Sequence, residues 1–248
     1  MPFGLEPPLE LPVIPGPADA VPVPVPGSGR TRVMVVDDHR SFAEALVFAV
    51  DHNDDMLAVG AASSIAEALS GMAEAAPDVV LMDIRLPDGD GIEATVRVLE
   101  LLPSARVVIL TGHTDVEMLA RAASAGASGF LPKESSIAAV IGAIRAAKNG
   151  EMLVDGSTLA AILGRVTPVG TAAQRAAKDA AALTPRERDV LALMGQGLDP
   201  HAIAASLGIS LHTCRGHQKG IMAKLDAHSQ LEAVVVASRM GLLPRVGS

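Results

Sequence analysis

Five side chains of this chain bear the groups that phosphoryl chemistry needs, and each follows a short apolar run. Asp37 and Asp38 come directly after Arg32-Val33-Met34-Val35-Val36, and Asp83 after Pro77-Asp78-Val79-Val80-Leu81-Met82. Thr111 follows Ala105-Arg106-Val107-Val108-Ile109-Leu110, and Lys133 lies just past the weaker run Ser128–Leu131, three residues beyond Phe130. If the ends of these runs converge, three carboxylates, a hydroxyl and an ammonium share one small pocket. Carboxylates packed so closely repel one another and need a cation. Oxygen-only ligands favour a hard ion such as Mg²⁺. A carboxylate beside such an ion can act as a nucleophile and form an acyl phosphate, with the metal and the lysine neutralising phosphoryl charge.

The elements that must position these groups are legible in the same text. Continuous β-branched runs suit strands buried on both faces, which means a parallel sheet covered by helices. Besides the strong runs, Met56–Gly60 and Ser128–Leu131 read as weaker strands, and helical stretches occupy roughly 40–50, 64–75, 90–101, 115–124 and 136–148. Five strands alternating with five helices predict an α/β fold with a doubly wound, five-stranded parallel sheet of flavodoxin-like type over 31–152. In that architecture the site lies just past the carboxyl ends of the strands. Residues 1–30 hold nine of the 17 prolines, including Val21-Pro22-Val23-Pro24-Val25-Pro26. Proline fixes φ and lacks a donor, so a helix or a central strand is excluded there and polyproline II or disorder is expected. Residues 153–180 are rich in Ala with scattered Gly and read as a partly helical linker.

From 181 to 248 the pattern is helical throughout. Thr184-Pro185-Arg186-Glu187 and Ser229-Gln230-Leu231-Glu232 read as capping boxes. Asp199-Pro200 starts a further helix, Gly208 breaks the chain and Ser210 can cap the next. Four short helices, two of them joined by a tight glycine turn, form a small all-α unit of helix-turn-helix layout.

Composition narrows the class. The chain has 248 residues, 49% hydrophobic and 2% aromatic, so its cores are built from Ala, Val, Leu, Ile and Met. Its single cysteine, Cys214, excludes an internal disulfide and a cysteine-cluster metal site and makes a reducing cytoplasmic setting the default. Neither a secretory leader nor an apolar run long enough to span a membrane is visible. The formal net charge of −8 is unfavourable for a nucleic-acid binder, but it is unevenly spread. Residues 1–180 carry 13 basic and 23 acidic side chains, whereas 181–248 carry seven and five. Few basic residues are available to displace counterions, so binding to DNA should lean on dimerisation and a few contacts.

The motifs Val-Asp37-Asp38-His39, Leu-Met-Asp83-Ile-Arg-Leu-Pro-Asp-Gly-Asp-Gly91, Ile-Leu-Thr111-Gly112 and Gly-Phe130-Leu-Pro-Lys133 resemble the receiver domain of two-component response regulators. The resemblance covers about 31–150. It implies that a histidine kinase phosphorylates Asp83 and that Asp37, Asp38, Asp83 and the backbone carbonyl of Arg85 hold Mg²⁺. It also implies that Lys133 pairs with phosphoryl oxygens, Gly112 leaves room for them, and Thr111 and Phe130 form the switch pair. Arg85 and His113 occupy positions that in the family influence the lifetime of the acyl phosphate.

Residues 183–242 are similar to the LuxR-type helix-turn-helix of NarL/FixJ-class regulators, through Leu183-Thr-Pro-Arg-Glu187-Arg-Asp-Val-Leu191, Gly197, Ile203-Ala204, Leu207-Gly208-Ile209-Ser210, Thr213, His217, Ile221 and Lys224-Leu225. The resemblance implies a recognition helix that starts near Leu211 and enters the DNA major groove. Arg215 and Lys219, four apart and so on one face, are the candidates for base-edge and phosphate contact. Thr213, His217 and Lys224 are candidates for backbone contact. Gly216 and Gly220 depart from the pattern, each at a cost of about 1 kcal/mol relative to Ala in a helix interior. Cys214 reads as a small core residue.

Together the two resemblances imply a phosphorylation-controlled transcriptional regulator that dimerises on two DNA half-sites. By resemblance the last helix, near 229–240, would supply the dimer contact, and the receiver unit would mask the recognition helix until it is phosphorylated. The chain would not be an enzyme, at most dephosphorylating itself slowly. An atypical regulator of the same fold, switched by a ligand or partner, is the alternative.

Overall fold

The computed structural model describes residues 29–112, 115–166 and 183–243. Residues 1–28 of the proline-rich segment, His113 and half of the expected linker, 167–180, lie outside the described residues. Five parallel strands form one sheet in the order β2-β1-β3-β6-β7, comprising β1 (Thr31–Val36), β2 (Met56–Ala62), β3 (Val79–Asp83), β6 (Arg106–Thr111) and β7 (Gly129–Pro132). Two two-residue strands, β4 (Arg85–Leu86) and β5 (Gly89–Asp90), form a small antiparallel hairpin after β3 that the sequence pattern did not announce. The alternating helices are α1 (Arg40–Asp51), α2 (Ile65–Ala75), α3 (Gly91–Leu101), α4 (Val116–Ser124) and α5 (Ile137–Lys148).

The central strands β1, β3 and β6 are buried on both faces because they are apolar at nearly every position. Val33, Val35, Val79, Leu81, Val108 and Leu110 pack on α1 and α5 through Leu46, Val50, Ile141 and Ile144. The alternate residues Met34, Val36, Val80, Met82, Val107 and Ile109 pack on α2 and α3 through Met72, Ile92, Val98 and Leu99. The register Val36↔Met82, Asp83↔Leu110 and Thr111↔Pro132 brings the ends of β1, β3, β6 and β7 to one level. That register, rather than any local motif, gathers the polar groups at one end of the sheet.

Within the region expected as linker, α6 (Gly156–Arg165) is capped by Asp155, whose carboxylate accepts from the Thr158 backbone N–H at 2.9 Å. Its apolar side buries Leu159, Ile162 and Leu163 against Leu119 and Ala123 of α4. The C-terminal unit comprises α7 (Pro185–Met194), α8 (Pro200–Leu207), α9 (Leu211–Leu225) and α10 (Gln230–Arg239). The Thr184 capping box forms in both directions, at 3.2 and 2.7 Å. Asp199 accepts from the N–H groups of His201 and Ala202, and Gly208 takes φ +63° to turn α8 into α9. The second expected box forms only in half. Ser229 Oγ accepts from the Glu232 N–H at 3.0 Å, but the Glu232 carboxylate reaches back to the N–H of His228 instead of Ser229. Ser229 Oγ also donates to the Ala127 carbonyl at 2.8 Å, which ties this helix start to the α/β unit.

Candidate functional site

The acidic pocket sits where the strand ends meet. Asp37 and Asp83 are buried, whereas Asp38 is exposed at the rim. Lys133 Nζ lies 2.6 Å from Asp37 Oδ2 and 2.7 Å from Asp83 Oδ2, so one ammonium bridges the two buried carboxylates. Burial works against that charge, but the hydrogen bonds to Asp37 and Asp83 outweigh it and hold the ammonium above the usual lysine range. The Lys133 backbone N–H donates to the Thr111 carbonyl at 2.9 Å, which fixes this loop to the end of β6. Asp38, His39, Asp83, Ile84, Arg85, Thr111, Gly112, Met118 and Lys133 line a cavity of about 510 Å³. A Cβ on Gly112 would meet nothing within 4 Å, so this wall is open.

Two contributors were not singled out from the sequence. His39, the residue before α1, places Nδ1 2.8 Å from Asp38 Oδ1 and donates its N–H to Asp37 Oδ1 at 2.9 Å. This arrangement starts α1 without a side-chain cap, so Asp38 does not cap the helix and remains available to the pocket. Gly91, the first residue of α3, is the other. Its N–H donates to the Ile84 carbonyl at 2.8 Å, and a Cβ there would lie 1.9 Å from the Asp83 carbonyl oxygen. Only the absent side chain lets α3 and the hairpin close against Asp83. The glycine was visible in the motif, but its role depends on this tertiary approach.

Ligand atoms of Asp37, Asp38, His39 and Asp83 all lie within 4.8 Å of one another. Three carboxylates against one ammonium leave an excess of negative charge. A hard divalent cation with oxygen ligands suits that donor set, so these residues fit Mg²⁺. Phe130 is half-buried and packs against both the sheet core and the cluster between α4 and the C-terminal helices. With Thr111, Leu119 and Thr158 it borders a second cavity of about 370 Å³ between α5 and α6.

In the helical unit, α9 exposes Arg215, Gly216 and Lys219 and half-buries His217. The Thr213 hydroxyl is held 2.8 Å from Ser210 Oγ at the helix start. Cys214 is fully buried, and burial pushes its thiol up. Lys224 differs from the other expected contacts, because its ammonium lies 2.7 Å from Glu187 Oε2. Burial raises the Glu187 carboxyl, but Lys224 and the Thr184 N–H outweigh it and hold it below the usual range.

The two glycines of α9 have separate explanations. A Cβ on Gly220 would come 2.8 Å from Glu187 Oε1, a carboxylate fixed by Lys224 and Thr184, while one on Gly216 would meet nothing within 4 Å. Gly216→Ala is therefore expected to raise stability by about 1 kcal/mol. Gly220→Ala is expected to lower it by about 1 kcal/mol, the crowding outweighing the helix preference. Urea denaturation of the two variants checks the opposite signs.

Residues 33–145 match the response regulator receiver domain, and residues 181–237 match the bacterial regulatory proteins of the luxR family. The chain is 32% identical over 209 residues to the DNA-binding transcriptional activator DevR/DosR of Mycobacterium tuberculosis, covering 84% of this chain and 94% of that one. It is 32% identical over 212 residues to the transcriptional regulatory protein LiaR of Bacillus subtilis, covering 86% and 99%. The chain belongs to the LuxR-type response regulators. A LuxR-family two-component response regulator from Aurantimonas shares 32% identity and superposes with a TM-score of 0.50, over 54% of this chain and 95% of that one.

In this response regulator the receiver and the DNA-binding unit are packed together. α4 faces both ways: Ala122 belongs to the receiver core, while Leu119 and Ala123 join a cluster with α6 and the C-terminal helices. Arg106 of the receiver donates to the His228 carbonyl, Gln230 Nε2 to the Gly150 carbonyl, and Arg239 to Ser124 Oγ at 2.7 Å. Arg215 lies 3.4 Å from Glu151, and Lys219 borders a cleft shared with Pro103 and Arg106. Of the two residues expected at DNA bases, Arg215 thus contacts the receiver, and Lys219 stays exposed beside it. No helix among the described residues is long and apolar enough to cross a membrane.

Proposed function

We propose that this response regulator accepts a phosphoryl group on Asp83 from a histidine kinase in the cytoplasm and binds DNA as a homodimer when phosphorylated. The observation that carries this is the Lys133 ammonium held between Asp37 and Asp83, at 2.6 and 2.7 Å, on the wall of an open polar cavity. An Asp83 carboxylate oxygen forms the new bond to phosphorus. The bond from phosphorus to the kinase imidazole breaks, and that nitrogen keeps the electron pair. Mg²⁺, held by Asp37, Asp38, Asp83 and the Arg85 carbonyl, would offset the charge of the transferring group. Lys133 turns from Asp83 toward the new phosphoryl oxygens, and Gly112 gives them space. The chain acts as a phosphoryl acceptor and at most loses the group slowly by hydrolysis.

Thr111 and Phe130 carry the change outward. The hydroxyl moves toward phosphate, and the Phe130 ring shifts against Leu119 and the cluster under α6. The added charge is local, while the bistable element is the packing of α4 on α6 and α10. What supports this reading is that Arg239 of α10, the expected dimer helix, and Arg215 of α9 contact the receiver in this conformation, while Lys219 borders a cleft beside it. Release would free two copies to place α9 in successive major grooves, with Arg215 and Lys219 at base edges and Thr213 and His217 at the backbone. Lys224, already paired with Glu187, would orient the helix and reach phosphate only by exchanging partners.

The test is incubation with acetyl phosphate and Mg²⁺, read by intact mass and by binding to a DNA fragment selected from a random pool. Wild type is expected to gain one phosphoryl group and to bind DNA at least tenfold more tightly. Asp83→Asn is expected to do neither. Labelling of Asp83→Asn equal to wild type would overturn the assignment.

A further inference from the structure

His39 meets the acidic pocket with a nitrogen donor, where every other group expected at the ion is an oxygen. Its Nδ1 lies 2.8 Å from Asp38 Oδ1 and 3.2 Å from Asp37 Oδ1. A ring nitrogen in that place either carries a proton shared between the carboxylates or turns a lone pair to a cation beside them, and the tautomer decides which. Ligands about 2.1 Å from an octahedral ion stand about 3.0 Å apart when adjacent and about 4.2 Å apart when opposite. The two separations at Nδ1 fall on either side of the adjacent value. The donor atoms of Asp37, Asp38, His39 and Asp83 lie within 4.8 Å of one another, close to the width of one such shell. One ion can therefore touch the imidazole and the carboxylates together.

The backbone holds the ring there. The His39 N–H donates to Asp37 Oδ1 at 2.9 Å, and the His39 carbonyl accepts from the N–H groups of Phe42 and Ala43 at 2.9 and 3.0 Å. The residue is thus pinned between the end of β1 and the first turn of α1. Lys133 takes the Oδ2 atoms of Asp37 and Asp83, whereas His39 stands at Oδ1 of Asp37 and Asp38. The ammonium and an ion held by His39 would use different oxygens of Asp37. With Nδ1 on an ion, Nε2 carries the ring proton, and at 71% exposure it has water as its partner. The same exposure means that replacing the ring removes little buried surface.

The donor type decides which ion gains from this arrangement. Oxygen ligands suit Mg²⁺, whereas an imidazole suits first-row transition ions, whose affinity for such sites rises from Mn²⁺ to Ni²⁺. An ion of that class uses His39 and the carboxylates alike, while Mg²⁺ gains mainly from the oxygens.

We infer that His39 Nδ1 is a direct ligand of the divalent ion in the receiver pocket and gives the site a preference for first-row transition ions over Mg²⁺. The inference rests on the reading of Asp37, Asp38 and Asp83 as ligands of that ion. The test adds Mn²⁺ to the full chain. Electron paramagnetic resonance counts the bound ion, and electron spin echo envelope modulation detects nitrogen bound to it. Wild type is expected to bind one Mn²⁺ at the pocket, with the coupling of one imidazole nitrogen. His39→Ala is expected to keep the ion and lose that coupling. Lys133 is unchanged in this variant, so its nitrogen cannot account for the loss. The ratio of Mg²⁺ to Ni²⁺ needed to displace Mn²⁺ is expected to fall at least tenfold in His39→Ala. Mn²⁺ bound at the pocket without nitrogen coupling, or with coupling that survives in His39→Ala, would overturn the ligand role of His39 alone. An unchanged displacement ratio would overturn the preference. Mn²⁺ binding undiminished in Asp37→Asn/Asp83→Asn would instead overturn the underlying reading of the pocket.

Discussion

Gly91→Ala is expected to destabilise the receiver unit by about 3 kcal/mol and to abolish phosphoryl labelling of the fraction that folds. The new Cβ would fall 1.9 Å from the Asp83 carbonyl oxygen, 2.9 Å from the Asp83 carbonyl carbon and 3.1 Å from Ile84 Cα. All three atoms are backbone, so no rotamer change relieves the contact. Either the start of α3 withdraws or the end of β3 does. Withdrawing α3 breaks the Gly91 to Ile84 hydrogen bond and displaces Asp90, which caps the helix through Ile92 and pairs with Arg121 of α4 at 2.7 Å. Withdrawing β3 moves Asp83 itself, whose carboxylate must stay within reach of Lys133 and the metal ligands. For a unit of this size the loss corresponds to a fall in melting temperature of about 10 °C. Gly142→Ala, where a Cβ on exposed α5 meets nothing within 4 Å, serves as the comparison and should be neutral to stabilising. Calorimetry with acetyl-phosphate labelling measures both effects. A Gly91→Ala protein with wild-type stability and labelling would show that the hairpin is not needed to place Asp83.

The contrast between Gly91 and the strands shows what a sequence of this kind can convey. Strands buried on both faces must be apolar at every position, so β1, β3 and β6 stand out as runs, and the polar residue ending each run marks the pocket. The weaker β2 and β7 were found near their true places because helices of ordinary length separate them. The β4–β5 hairpin escaped notice because two-residue strands have no period to detect. His39 and Gly91 carry roles that depend on what approaches them in space, and residue type alone does not convey that. The half-formed box at Ser229 has the same origin. The local text fits a complete box, but Ser229 Oγ also bonds Ala127 across the unit boundary, and the Glu232 carboxylate settles one residue earlier. The docking of the two units was expected only from resemblance. Its surfaces on α4 are alanines and a leucine, which serve a receiver core and an interface equally well. The separation between Ala122 and Ala123 exists only in the folded chain.

That separation gives the second large effect. Ala123→Glu should open the protein without phosphorylation, whereas Ala122→Glu should unfold the receiver. Ala123 is fully buried among Leu119, the α6 residues Leu159 and Ile162, and the C-terminal helices. A glutamate there has no partner in the docked arrangement, and burying an unpaired polar group costs about 3 kcal/mol or more. Undocking α4 puts the carboxylate in water, and glutamate is itself a good helix former, so the cost falls on the docking and not on α4. Ala122, one residue earlier, faces Val98, Leu99, Val107 and Ile109, where no undocking relieves the charge. The apparent affinity for DNA is the intrinsic affinity reduced by the competent fraction. If docking is what keeps that fraction small, removing about 3 kcal/mol from it raises the affinity of the unphosphorylated protein by about 100-fold. Phosphorylation of Ala123→Glu should then add little further, because the step it drives has already been taken. Titration of the selected DNA fragment before and after acetyl phosphate treatment, with small-angle scattering to follow separation of the units, measures this. A folded, undocked Ala123→Glu protein that still needs phosphate to bind DNA would place the control in the dimer contact and not in the covering of α9 and α10 by the receiver.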